Sequence, residues 1–73
     1  MMRMILVNTT RTRALWERNG NVYVASVNGA TDFDGWPMDA RWECSIGHFR
    51  MFEHLWVCEG WMSPDFALAE IAQ

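Results

Sequence analysis

The chain has 73 residues, 51% of them hydrophobic, with a formal net charge of −3 and five Trp, four Phe and six Met. That length predicts a single small domain over residues 1–73, near the lower limit of independent folding, with heavy aromatic residues supplying the core that length does not. The acidic balance argues against a generally basic nucleic-acid binder, and no apolar run is long enough to span a membrane.

The first ten residues, MMRMILVNTT, carry too short an apolar run for a secretory signal. With only two cysteines, they predict a cytoplasmic chain with reduced thiols. Residues 1–30 hold Arg3, Arg11, Arg13 and Arg18 against Glu17, whereas residues 31–73 hold eight acids against Arg41 and Arg50. No basic residue is Lys, a bias that GC-rich coding explains more simply than binding does.

Residues 3–7, RMILV, predict a short strand. TRTRALWER and NVYVASV flank Asn19-Gly20, and Asn-Gly between β-prone runs predicts a hairpin with a two-residue type I′ turn. That turn pairs Trp16 with Tyr23, Ala14 with Ala25 and Thr12 with Val27, and these six are expected on the inner face. The other face carries Arg11, Arg13, Leu15, Glu17, Val22, Val24 and Ser26. It is only half polar, so cover on both sides is expected, with the N-terminal segment supplying the second layer.

ATDFDGWP, residues 30–37, reads as a loop. Pro37 then suits the first turn of a helix, with Asp32, Asp34 and Asp39 near its positive end. From Met38 to Trp56 the large apolar residues Met38, Trp42, Ile46, Phe49, Phe52 and Trp56 are spaced 4, 4, 3, 3 and 4 apart. This is helical spacing, and it predicts one long helix to about Val57 or Glu59 whose aromatic stripe forms the centre of the core. Residues 55–61 are also compatible with a strand. Gly60 is the expected helix stop, and Ser63-Pro64-Asp65 opens a second, short helix. The fold class predicted is α+β: an N-terminal antiparallel hairpin or small sheet packed on one long amphipathic helix, followed by a short C-terminal helix.

Cys44, His48, His54 and Cys58 follow C-x3-H-x5-H-x3-C, which invites a metal reading. On one helix the two cysteines are about 21 Å apart, and folded as a hairpin the two Cys/His pairs remain about 13 Å apart, so no single tetrahedral site closes. No metal, no cofactor and no catalytic residue is therefore assigned, and a Cys44–His48 redox pair is the weaker alternative. Glu53 points into the apolar stripe and is expected to be paired with an Arg or to lie at the core's edge. Ala40, Cys44, Gly47, Met51 and Cys58 form a second stripe behind the aromatic one, with Leu55 beside it. Either the C-terminal helix covers that stripe or it is the seam of a homodimer crossing near Gly47. No phosphate loop, nucleotide fingerprint, nucleophile elbow or HExxH is present, and no enzymatic activity is expected.

Trp42-Glu43, then Gly47-His48 and Met51, resemble a helix found in short uncharacterised accessory proteins of tailed phages, in which a strand pair precedes an acidic helix start and a Gly-His-x-x-Met segment. The chain departs from that pattern where Arg41-Trp42 and Cys44-Ser45 replace an alanine-rich first turn. The resemblance implies a phage or prophage origin, a place in the host cell cytoplasm and no activity of its own. By analogy such proteins bind a host or phage protein and act by occupying its surface, in some cases as inhibitors of host defence such as anti-CRISPRs. The alternative is a nucleic-acid-binding module using the hairpin's Arg11 and Arg13. The candidate interaction residues are thus Arg11, Arg13, Ala40, Cys44, Gly47 and Met51, with a protein partner expected, a homodimer open, nucleic acid only under that alternative, and no membrane.

Overall fold

The Asn19-Gly20 turn organises the sheet. Both residues have positive φ, 53° and 80°, as a type I′ turn requires. The strands on either side pair Arg18 with Asn21, Trp16 with Tyr23 and Ala14 with Ala25, and the backbone N–H of Val27 donates to Thr12. The expected register is the observed one.

The computed structural model describes residues 2–71, which form β1 (Met2–Val7), β2 (Arg13–Arg18), β3 (Asn21–Ser26), β4 (Arg41–Ser45), α1 (Ile46–Cys58) and α2 (Pro64–Ile71). The strands make one antiparallel sheet in the order β1-β2-β3-β4. The architecture is α+β, an N-terminal sheet followed by two helices, as the sequence predicts.

The sheet is covered on both faces. On one, Leu6, Leu15 and Val22 are buried against Phe49 of α1, with Ile5, Val24, Cys44, Ile46, Trp56 and Trp61 packed around them. On the other, Val7 and Ala14 are buried against Ala67 of α2, beside Met4, Trp16, Val27 and Met62. Trp36 of the β3–β4 loop extends this second layer, standing edge-on to Tyr23 at 5.1 Å and to Trp16 at 5.9 Å. The Arg18 guanidinium lies 5.0 Å from the Trp36 ring centroid, a cation–π contact. The expected two-sided cover is present, but α1 supplies it on the Leu15 face, while the N-terminal segment joins the sheet as an edge strand.

The long helix is shorter than expected. Residues 41–45 are a strand, and α1 begins only at Ile46. The Ser45 hydroxyl accepts from the His48 backbone N–H at 3.1 Å, a helix N-cap that fixes the start. Met38 and Trp42 supplied the first two steps of the helical spacing, yet they are 71% and 61% exposed. Only Phe49 of the aromatic stripe is fully buried. Cys44 pairs with Val22 and Trp42 with Tyr23, so a bulge at Glu43 sends Trp42 and Cys44 to opposite faces.

Pro37 is buried in the β3–β4 loop, where it bridges to Thr31, and begins no helix. Asp32 accepts from the backbone N–H groups of Asp34 and Trp36, and Asp39 from the backbone and hydroxyl of Ser26. Those carboxylates shape the loop and do not cap α1, which has no acid in its first turn.

At the far end, Gly60 takes φ +100°. Its N–H donates to Val57 and that of Trp61 to Trp56, while the Trp56 and Trp61 rings meet edge-on at 5.0 Å. This double bond with its hydrophobic clasp is the Schellman termination. Residues 55–58 are therefore helical. Met62 next pairs with Val7 through two 2.8 Å backbone bonds. The chain thereby crosses to the second face, where α2 starts at Pro64 as expected.

Candidate functional site

Both sheet faces being covered, apolar side chains stay open singly at Phe33, Met38, Trp42 and Phe66 and as a group on the outer side of α1. The helix turns Ile46, Phe49 and Trp56 toward the sheet, and the 3.6-residue period then turns Gly47, Met51, Leu55 and Cys58 outward. Met51 is 69% and Leu55 51% exposed, with His48 and Phe52 exposed beside them and Val57 exposed on the opposite flank of the helix. A shallow groove lined by His48, Phe52, Leu55, Trp56 and Glu59 runs along this side. A second hollow, lined by Trp42, Glu43, Cys44, Ser45 and His48, carries it on to β4. The His48 and Phe52 rings are in contact, with centroids 4.8 Å apart.

The electrostatics of α1 are inverted relative to its dipole. The first turn holds His48 and no acid, and the last turn holds no base, with Glu59 as the C-cap residue. Acids favour helix N-termini and cations C-termini, so each end of α1 lacks its complement.

The six candidate residues do not form one surface. Gly47 and Met51 share the outer side of α1. Cys44 lies on β4 and packs inward, and Ala40 sits in the loop before that strand. Arg11 belongs to the β1–β2 connection, where its guanidinium donates to the Thr9 and Ala67 carbonyls at 3.0 and 3.2 Å, against α2. Arg13 is exposed at the start of β2. The C-terminal helix does not cover the second stripe, since α2 packs on the other face of the sheet.

The Cys/His constellation is dispersed. Cys44 is on β4 and Cys58 at the end of α1, both as free thiols. Burial, with Glu43 nearby, pushes the Cys44 thiol upward, which disfavours the thiolate that a nucleophile needs. Among the described residues no three His, Cys, Asp or Glu side chains gather where they could hold a metal ion. Glu53 is exposed, at the edge of the core as one of its two expected positions had it. No described helix is long and apolar enough to cross a membrane.

Phe52, Leu55 and Glu59 were not among the candidates. The helical spacing placed Phe52 in the core stripe, because a sequence gives the period of a helix but not which way the sheet will rotate it. Comparison with protein-family models, with curated proteins and with solved structures gives no match.

Proposed function

We propose that this chain is a small protein-binding module that acts by occupying the surface of a partner protein, with the outer side of α1 as its contact. One observation carries this reading. A domain that covers both faces of its sheet nevertheless leaves Met51, Phe52 and Leu55 open together on one side of a single short helix. Clustered apolar side chains rimmed by polar ones are the usual mark of a protein contact. The phage-type resemblance gives the finer form, a partner drawn from host or phage proteins and blocked by occupation.

The nucleic-acid alternative draws on Arg11, Arg13 and Arg18, of which Arg13 is exposed while the other two are engaged within the fold. Arg3 pairs with Glu17 at 2.8 Å, Arg11 is tied to backbone carbonyls, and Arg18 lies over Trp36. Their dispersal leaves little continuous basic surface for a phosphate backbone.

The test is capture from host lysate with wild type and Leu55→Glu as parallel baits, both checked for folding by circular dichroism. A protein held by the wild type and released by the variant is the expected result. Identical captures from both baits would sink the assignment of this face. Retention on heparin that falls steeply with salt would favour nucleic acid instead.

A further inference from the structure

The groove residues His48, Phe52, Leu55 and Glu59 fall on one line along α1 at spacings of 4, 3 and 4. That order is its own mirror image about the point between Glu53 and His54. Laid antiparallel on a copy of itself, the line sets Phe52 against the partner's Leu55, and His48 against the partner's Glu59, each contact occurring twice. We infer that in the protein alone this face is occupied by a second copy of the chain, docked as a two-fold antiparallel α1 pair that a partner protein would displace.

The charges fit a copy. An imidazole donates N–H to a carboxylate in either protonation state, so the pairing joins a donor to an acceptor at both ends. It also brings the partner's Glu59 carboxylate to the N-terminal end of α1, where the helix dipole favours an anion and the first turn supplies none. Each helix thus provides what the other end lacks. A two-fold contact must be self-complementary in this way, and the order polar, apolar, apolar, polar satisfies it with both ends opposite in character.

The seam is small. Thirteen helical residues span about 20 Å, and a single helix side falls short of the roughly 800 Å² per partner of a standard interface. The pair is therefore a weak one that forms at micromolar concentrations and above. Its centre lies between Phe52 and Leu55, not at Gly47, and neither Ala40 nor Cys44 takes part.

The inference rests on the reading of α1's outer side as a protein contact, and sedimentation equilibrium up to several hundred micromolar separates the two. The wild type is expected to show a reversible monomer–dimer equilibrium. His48→Glu opposes like charges at both ends and should weaken it about tenfold or more, with Glu59→Arg weakening it less. An equimolar mixture of these two variants presents a Glu–Arg pair at one end and the original His48–Glu59 pairing at the other, so it should dimerise better than either alone. Circular dichroism confirms that each variant is folded. A wild type that stays monomeric throughout overturns the second copy, and so does a mixture no tighter than its components. If the wild type is monomeric yet Leu55→Glu still releases a captured protein, the face belongs to a different protein.

Discussion

Leu6 and Val7 are neighbours in the chain and are buried in different cores, Leu6 with Leu15 and Phe49, Val7 with Ala14 and Ala67. The register of β1 explains the crowding. Met4 pairs with Trp16 and Leu6 with Leu15, so Ile5 is an extra residue, a bulge that turns Ile5 and Leu6 together toward α1. One sheet thus separates two small cores, and damage to each should be read separately.

Phe49 anchors the α1 side at 4% exposure. Phe49→Ala should cost about 3–5 kcal/mol in urea denaturation, comparable to the whole stability expected at this size. Phe52→Ala, three residues on and 39% exposed, should cost about 1 kcal/mol or less. Equal losses would mean that the helix is rotated from the orientation described.

Gly20→Val tests the hairpin turn alone. A Cβ at Gly20 would meet nothing within 4 Å, so the whole effect is backbone strain at φ +80°. A β-branched residue resists that conformation, at a cost on the order of 1–3 kcal/mol. Unchanged equilibrium denaturation would contradict the type I′ turn.

Gly60→Ala combines two effects that a double-mutant cycle can separate. Its φ of +100° penalises any side chain, and the new Cβ would overlap the Thr9 hydroxyl, which donates to the Gly60 carbonyl at 3.2 Å. The single variant should lose roughly 1–3 kcal/mol. In the Thr9→Ala background the same substitution should cost measurably less, because the overlap is gone and only the strain remains.

Asp39 should give the fold an acid sensitivity. The Ser26 hydroxyl, foremost, and the Ser26 backbone N–H hold its carboxyl below the ordinary carboxylate range. A carboxyl lowered in the folded state adds stability above its unfolded value of about 4, and that contribution disappears as pH falls through the lower folded value. Thermal unfolding between neutral pH and pH 3 should therefore show a shallower loss for Asp39→Asn than for the wild type. Parallel curves would mean that the Ser26 bonds do not persist in solution.

Local chemistry carried the legible parts of this fold. Asn19-Gly20 specified turn type and register together because positive φ at two successive residues admits few other side chains. Gly60 and Ser63-Pro64 marked a stop and a start for similar stereochemical reasons. Residues 41–45 misled because Met38 and Trp42 fit a helical period while contributing little to the core. Two signals pointed the other way: Arg41 to Ser45 alternates polar and apolar, and Ser45 stands where a helix N-cap belongs. Even that alternation would have put Trp42 and Cys44 on one face, since the Glu43 bulge leaves no trace in hydrophobicity. Gly47 and Met51 were legible as outward-facing partners on one helix. Leu55 was legible beside them, but Phe52 was not, because its exposure depends on how α1 rotates against Leu15 and Val22.

The strand order also governs how the chain reaches this structure. Each strand pairs with the one before it, so the sheet assembles from hairpins whose loops close at little entropic cost, a topology associated with fast folding. The Val7–Met62 bridge is different, since it joins the first strand to the segment after α1 and must close most of the chain at once. Docking of α2 is expected to follow that bridge, with Ala67 late on the route. A small-to-large change at Ala67 should then accelerate unfolding in a chevron experiment and leave the refolding arm nearly unmoved.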